Sequence, residues 1–276
     1  MNPVALALIY HDPKGRLFDQ WRRLLPALKN IFAGIAVRGS ATAYQPALAY
    51  LAKHDVVVYQ EPGGSANSQP HIGKGRRKAL ELALTLDQPV LLYCDGDRML
   101  HWVEQYEAEL TAVARRLSAP QSAADFTVLG RTPRAFATHP HSQQDTEALV
   151  NQLYQRLSGR NWDMLAAARG LSRRAAEFIV AHSQDDEIST DVSWPLLLAR
   201  HHPAWTQSYV ATEGMEFETI AQVLPEVTQA GGVAAWLNTL DADPQEWVKR
   251  LDLARVMAAA MIPFAPQTMP KEALVR

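Results

Sequence analysis

The chain has 276 residues, of which 47% are hydrophobic and 20% are charged, and its formal net charge is −2. A chain of this size and composition can bury a large core, which predicts an ordinary globular protein. Its near-neutral charge provides no basic field, so neither nucleic acid nor an anionic membrane surface is favoured as a partner.

Strands and helices alternate in the amino-terminal part of the chain. Apolar runs predict strands at 4–10, 31–37 and 56–59. Apolar residues at intervals of three and four predict helices at 16–29 and 44–53. Such alternation is typical of an α/β fold, with a mostly parallel sheet, right-handed crossovers and helices on both faces.

A long polar segment, rich in Gly, Pro and Ser, occupies 60–73 after the third strand. It leads into Gly73-Lys74-Gly75-Arg76-Arg77-Lys78 at the start of a predicted helix. The glycines, the helix amino terminus and Lys74 would favour a phosphate group. The four basic residues could equally form a solvated helix face. The spacing fits neither a Walker motif nor a Gly-x-Gly-x-x-Gly fingerprint.

The next apolar run, 90–94, predicts a strand buried on both faces, and it ends in Asp95-Gly96-Asp97. Ligands of open α/β sheets bind at the carboxyl ends of strands. Two carboxylates there can hold Mg²⁺ or Mn²⁺ together with phosphate oxygens. The alternative is a simple Asp-Gly turn. The similar Asp241-Ala242-Asp243 precedes Pro244, so we predict a helix cap there instead.

The only cysteine, Cys94, excludes an intrachain disulfide and is predicted to be a small core residue. The amino terminus lacks a basic signal-peptide region, and no apolar stretch is long enough to span a membrane. We therefore expect a cytoplasmic protein without a membrane span.

The second half of the chain is less regular. A strand is predicted at 126–129, and helices are predicted at 102–117, 147–157, 173–181, 191–198, 233–240 and 247–261. Arg131 and Arg134 follow the predicted strand and could bind a carboxylate or phosphate, although a solvated position is the commoner outcome for such arginines.

Three motifs occur in the order Tyr59-Gln60-Glu61, Gly73-Lys74-Gly75 and Asp95-Gly96-Asp97. In this order and spacing the sequence resembles the nucleotide-diphospho-sugar transferases of the GT-A fold, and among them the small retaining mannosylglycerate synthase-like enzymes. The resemblance covers roughly residues 4–220. It implies a GT-A domain at 1–224 that binds donor and acceptor, and a helical carboxyl-terminal segment at 225–276 that packs on it.

The resemblance also implies roles for individual residues. Gln60 and Lys74 would bind the nucleotide-sugar donor, and His11 or Asp12 would contact its base. Asp95 and Asp97 would hold the metal ion, with Asp95 also contacting the donor diphosphate.

Asp191 corresponds to an acid that lies near the reacting sugar, so it is the candidate catalytic residue. Capping of its helix is an alternative role that could coexist with this one.

One ligand of the family pattern is missing. Glu213-Gly214 matches a pair that shortly precedes a metal-binding histidine, but Phe217 occupies the position of that histidine. Glu216 is our candidate for a replacement ligand, with Glu218, His201 and His202 as alternatives, since hard cations accept carboxylates readily. Weak metal binding or lost turnover is the other possible consequence.

The sequence thus predicts a metal-assisted glycosyltransferase that uses a GDP- or UDP-sugar and a small polar acceptor. Two alternatives remain open. One is a sugar-phosphate nucleotidyltransferase, although the glycine-rich loop of such enzymes is absent at 11–16. The other is a non-catalytic nucleotide-sugar-binding protein. Trp236 and Trp247, on the predicted carboxyl-terminal helices, suggest a core or a contact between subunits of a homo-oligomer.

Overall fold

The computed structural model describes residues 2–63, 71–121 and 123–265. Within these ranges the strands are β1 (Asn2–Tyr10), β2 (Phe32–Gly39), β3 (Val57–Gln60), β4 (Val90–Asp95), β5 (Phe126–Arg131), β6 (Ala168–Ser172) and β7 (Gln207–Thr212).

Among the same residues, one helix lies between consecutive strands up to β5, two helices lie between β5 and β6 and between β6 and β7, and the remaining helices follow β7. The helices are α1 (Phe18–Ile31), α2 (Gln45–Lys53), α3 (Ile72–Leu84), α4 (Gly96–Ser118), α5 (Pro133–Ala137), α6 (His141–Ser158), α7 (Arg173–His182), α8 (Thr190–His201), α9 (Thr219–Gln222), α10 (Leu224–Gln229), α11 (Val233–Ala242) and α12 (Pro244–Met261), before a short 3₁₀ turn at Ile262–Phe264.

The described strands form one sheet in the order β3-β2-β1-β4-β6-β5-β7. The first four strands are parallel, whereas β6 runs antiparallel between β4 and β5. Their register pairs Ile9 with Asp95, Tyr10 with Gly39, and Gly39 with Gln60. The carboxyl ends of the four parallel strands therefore meet at one edge, where α/β proteins bind ligands.

The core consists of two layers, one on each face of the sheet. Alternate residues of β1 point to opposite faces, so Leu6 and Leu8 pack with α1 and α4, while Ala5 and Ala7 pack with α3. Cys94 is buried in the first layer, which confirms its prediction as a core residue. The predicted α/β class, with a mostly parallel sheet between helices, is confirmed.

Helix α12 forms the helical carboxyl-terminal part and packs against α6 and α8. Asp243 caps it by accepting a hydrogen bond from the Gln245 amide at 2.9 Å, as predicted. Asp241 instead accepts the amides of His141 and Ser142 at the start of α6. The division of the chain at residue 224 stays a prediction. No helix in the described ranges has both the length and the apolar character to cross a membrane.

Gly214, after β7, has no room for a side chain. An added Cβ would lie 1.9 Å from Cδ1 of the buried Trp102. We therefore expect Gly214→Ala to lower the free energy of unfolding by about 1–3 kcal/mol in urea denaturation, because overpacking forces the backbone to shift. Gly63→Ala is the matched control, since a Cβ there meets no heavy atom within 4 Å. Equal midpoints for the two variants would contradict the expectation.

Candidate functional site

A cavity of about 220 Å³ opens at the carboxyl edge of the parallel strands. We call it the edge cavity. Its walls combine two acids with basic and hydroxyl side chains, among them His11, Arg38, Ser40, Asp95 and Asp97. The strand ends thus bring together residues that are far apart in the sequence.

Asp95 and Asp97 both face the edge cavity and are partly buried. Asp95 accepts a hydrogen bond from the Tyr93 hydroxyl. Asp97 accepts one from the Arg98 amide at 2.9 Å and one from the Gln222 side chain at 3.2 Å. Each carboxylate is therefore held in place by the protein while it lines the cavity.

The donor set suits a hard divalent cation only in part. Two carboxylates line one cavity, but no group of three His, Cys, Asp or Glu side chains in the described ranges could hold a metal ion. Mg²⁺ is commonly held by one or two carboxylates, with substrate phosphates and water as its other ligands. The residues fit a metal ion that is shared with a diphosphate.

The candidates for a third metal ligand lie in different environments. Glu216 accepts hydrogen bonds from Arg134 at 2.7 Å and pairs with His101 at 3.0 Å, on a separate groove. Glu218 is buried, and this burial raises its pKa to about 7, helped by the charge of Asp97. Besides burial, the charges of Asp97 and Asp95 thus raise the pKa of Glu218. The ligand role of Glu216 stays a prediction.

Phe217, at the position of the expected histidine, is a packed core side chain. Its ring is buried and stacks against Trp236 with centroids 5.9 Å apart, and it also contacts His139. The position is a core contact between the end of the sheet and α11. His202 stacks on Trp205, and His201 contacts Phe178, in a separate aromatic cluster.

His11 and Asp12 follow β1 but differ in accessibility. His11 is exposed on the edge cavity, and its Nδ1 lies 2.8 Å from the Ser40 hydroxyl. Asp12 is buried, and it accepts the amides of Arg16 and Leu17 and the hydroxyl of Tyr10. Asp12 therefore organises the turn before α1, and contact of either residue with a base stays a prediction.

Gln60 ends β3 beside the same edge. Its amide donates to the Ala41 carbonyl at 3.2 Å, and its oxygen accepts from Gln45. Arg38, which the sequence analysis did not identify, lies at the end of β2 and pairs with Glu61. It was detectable as the only charged residue in the apolar β2 strand.

Lys74 is exposed and lines a second cavity of about 410 Å³ with Arg38, Tyr59 and Glu61. Arg38 borders this cavity and the edge cavity, so its guanidinium lies in the wall that they share. The Lys74 side chain forms no ion pair or hydrogen bond within the part of the chain that the structure describes. Its role in donor binding stays a prediction.

The two glycines beside Lys74 serve packing. A Cβ on Gly73 would lie 2.4 Å from the Glu187 carbonyl oxygen, and one on Gly75 would lie 3.0 Å from the Arg38 guanidinium. The amides of Gly73 and Lys74 donate to the Asp186 carbonyl at 2.8 and 3.3 Å. These two amides are therefore occupied by the protein, contrary to the expectation of free groups for a phosphate.

Arg76 is buried, so a solvated helix face is the wrong interpretation for this residue. Its guanidinium pairs with Asp191 at 3.0 Å and with Asp95 at 3.5 Å, and it donates to the Thr190 hydroxyl at 2.9 Å. Burial opposes its charge, but the carboxylates outweigh burial and raise the pKa of Arg76 well above its ordinary value. Arg76 thus connects the predicted catalytic acid to the acid pair.

Asp191 lies in the first turn of α8 and is buried. It accepts a hydrogen bond from Arg169 at 3.0 Å as well as its ion pair with Arg76. It lines a smaller cavity of about 90 Å³, which Asp95 also lines and which we call the inner cavity. The carboxylates of Asp95 and Asp191 therefore border one space, and the catalytic role of Asp191 stays a prediction.

The arginines after β5 have different surroundings. The Arg131 side chain is fully buried and makes two hydrogen bonds to Asp163, of 2.7 and 2.8 Å, and a further one to Glu147. A solvated position is therefore wrong for Arg131. Arg134 is half exposed and pairs with Glu213 and Glu216.

The Arg131–Asp163 pair predicts a loss of stability in acid. Burial would raise the pKa of Asp163, but Arg131 outweighs burial and lowers the pKa below its ordinary value. A depressed carboxyl pKa contributes stability above the unfolded value, about 3.9, and this contribution is lost as the pH falls towards the folded value. We expect Asp163→Asn to be less stable than wild type at pH 7 and to lose less stability on acidification.

The measurement is the free energy of unfolding between pH 7 and pH 3. Asp19→Asn serves as the control, because Asp19 is exposed and its contact with Arg22 is a surface pair of 3.8 Å. An Asp163→Asn curve parallel to that of the wild type would show that this pair does not contribute to the acid transition.

No protein-family model matches the sequence, and no curated protein matches it significantly. Among solved structures, glucosyl-3-phosphoglycerate synthase from Mycobacterium tuberculosis in complex with UDP is 11% identical, with 87% of this chain and 80% of that chain covered and a TM-score of 0.49. The complex of that enzyme with Mn²⁺, UDP and phosphoglyceric acid is 11% identical, with 75% and 68% covered and a TM-score of 0.46.

A mannosyltransferase from Pyrobaculum calidifontis in complex with GDP-Man and Mn²⁺ is 10% identical, with 95% of this chain and 70% of that chain covered and a TM-score of 0.44.

Proposed function

We propose that this protein is a glycosyltransferase of the GT-A type, which moves a sugar from a GDP- or UDP-sugar to a small polar acceptor. One observation carries the proposal: Asp95 and Asp97 line the edge cavity together with His11, Ser40 and Arg38. Carboxylates for a metal, a cation and hydrogen-bonding groups at the carboxyl edge of a parallel sheet suit a nucleoside diphosphate.

Asp95 and Asp97 would hold the Mg²⁺ or Mn²⁺ ion. When bound, the ion neutralises the charge that develops on the diphosphate as it leaves the sugar. Hydrogen bonds to these acids from Tyr93 and Gln222 fix the carboxylates before the donor arrives. Such preorganisation lowers the cost of assembling the site during the reaction.

The protein side chains would supply the other donor contacts. Arg38 borders the edge cavity as a largely buried cation and can donate to a phosphate oxygen in exchange for part of its contact with Glu61. His11 and Ser40 are paired at 2.8 Å in the wall of the same cavity and offer hydrogen bonds to the nucleoside. Gln60 continues this row of polar groups at the end of β3.

Asp191 would act near the reacting sugar from the inner cavity. Arg76 and Arg169 each pair with its carboxylate at 3.0 Å, so the carboxylate is oriented before substrate binds. We assign it the stabilisation of positive charge that develops at the sugar, or help to the acceptor hydroxyl. The resemblance further implies retention at the anomeric carbon.

The experiment that tests this function is a titration of the full chain with UDP- and GDP-sugars, with and without Mn²⁺, while sugar release and transfer are followed. Metal-dependent donor binding with transfer to a small polar acceptor, neutral or anionic, supports the proposal. Pyrophosphate release from a nucleoside triphosphate and a sugar phosphate would replace it with a nucleotidyltransferase. Tight binding without turnover on a broad acceptor panel would replace it with a binding protein.

A further inference from the structure

Three arginines and three carboxylates line the inner cavity, and each of the carboxylates pairs with Arg76 or with an arginine outside the wall. Helices α3, α4 and α12 contribute Arg76, Arg98 and Arg250 to its wall. The remaining wall contains the carboxylates of Asp95, Glu147 and Asp191, two neutral polar side chains, and apolar residues. The space of about 90 Å³ is smaller than a site for a drug-sized ligand, so a small group such as a carboxylate or phosphate is the kind of occupant that fits it.

The three arginines differ in how they are satisfied. Arg76 is paired with two carboxylates. Arg98 has only a loose contact with Glu218, at 3.6 Å, and its buried NH1 has no hydrogen-bond partner. Arg250 forms no ion pair or hydrogen bond within the described ranges, and its Nε is buried without a partner. A buried N–H group without a partner is costly for a protein to maintain.

Glu147, the carboxylate of the wall whose charge acts most on Arg250, is already engaged. Glu147 accepts hydrogen bonds from Arg131 and, at 2.7 Å, from Gln143. Burial lowers the pKa of Arg250; Glu147 and Glu246 counter this effect, and the positive charge of Arg98 adds to it. Because the Arg250 guanidinium has no partner among the described residues, an anion between the two guanidiniums would accept its hydrogen bonds and offset the repulsion between the two charges.

We propose that the inner cavity binds the carboxylate or phosphate group of the acceptor, and that Arg250 and Arg98 are the donors that receive it. The identification of the bound molecule as an acceptor rests on the proposed glycosyltransferase function. The anion site itself is inferred from the side chains of the inner cavity. Asp95 borders both cavities, so a molecule anchored here by its anionic end extends towards the donor. The carboxyl-terminal helix α12 thereby becomes part of the substrate site.

The test compares three probes with one carbon skeleton: glycerol, glycerate and glycerol 3-phosphate. Binding to the full chain is measured by calorimetry in the presence of UDP and Mn²⁺, and again without them. We expect glycerate or glycerol 3-phosphate to bind and glycerol not to bind detectably, and the stronger of the two identifies the anion. Equal affinity for glycerol and both anions would overturn the proposal.

Arg250→Met should weaken binding of the preferred anion by about 10- to 100-fold, the usual effect of losing a charge-assisted hydrogen bond. Arg255→Gln is the matched control, because Arg255 lies on the same helix and is exposed, in a 3.8 Å pair with Asp252. Arg250→Lys, which keeps the charge, should recover part of the affinity. Unchanged anion affinity in Arg250→Met would overturn the proposal.

A melting curve separates this role from a structural one. Methionine removes a partly buried charge that has no partner among the described residues, so the unliganded Arg250→Met protein should melt at or above the wild-type temperature. A large fall in melting temperature would assign Arg250 to the fold instead.

The donor experiment distinguishes the two proposals. If anions bind through Arg250 while no sugar is transferred, the anion site holds and the glycosyltransferase function fails. If glycerol is glycosylated as well as the anionic probes, the function holds and the anion site fails.

Discussion

Replacing Asp97 with alanine is expected to reduce sugar transfer by about 10²–10³-fold, the usual cost of removing one group that stabilises charge in the transition state. Asp97 lines the edge cavity and accepts hydrogen bonds from the Arg98 amide and the Gln222 side chain. Its loss therefore removes half of the acid pair while the core stays intact. The measurement is transfer rate and donor affinity at several Mn²⁺ concentrations.

Two controls define this result. Asp19→Ala removes an exposed acid and should change neither quantity. Asp97→Ala itself should keep a thermal melt close to that of the wild type. A large loss of stability with donor affinity unchanged would mean that Asp95-Gly96-Asp97 is only a turn that closes the strand.

Arg76→Met is expected to lower the free energy of unfolding by about 3–5 kcal/mol, because removing one partner of a buried ion pair leaves the other charge uncompensated. The guanidinium is buried and lies between Asp191 and Asp95, with Thr190 as a further acceptor. Asp191 would retain only Arg169. Urea denaturation of the full chain measures the effect.

Arg22→Met is the control for Arg76→Met. Arg22 is exposed and has a surface contact of 3.8 Å with Asp19, a kind of pair that contributes little. Arg76→Lys should restore part of the stability, since it keeps the charge but not the forked geometry. Wild-type stability of Arg76→Met would show that the surrounding acids are neutralised in another way.

The amino-terminal half of the sheet could be predicted because its signals are local. Strands β1 to β4 are apolar runs separated by clear helical spacing, and their ends in the structure lie within two residues of the predicted ones. Strand β6 was missed, since Ala168–Ser172 is short and contains an arginine and a glycine. Strand β7 was also missed, because Gln207–Thr212 is only partly buried and lacks a clear apolar run.

The acids of the candidate site were recognisable from their place after a strand, but the buried arginines were not. Arg76 is 114 positions from Thr190, to which it donates, and Arg131 is 32 positions from Asp163. Whether a charged side chain is buried depends on such distant partners, and no local pattern contains them. The same reason explains why Arg250, far along the chain, could not be associated with the edge of the sheet.

The antiparallel strand β6 has a consequence for how the molecule assembles. It separates β5 from the parallel block, so β5 contacts the sheet only through strands that are synthesised later. On the ribosome, β1 to β4 can join as soon as they emerge, whereas β5 must wait until residues 132–167 and then β6 have followed. We expect the nascent chain to acquire protease resistance in two stages, first in the parallel block and later in the half that includes β5 and β7.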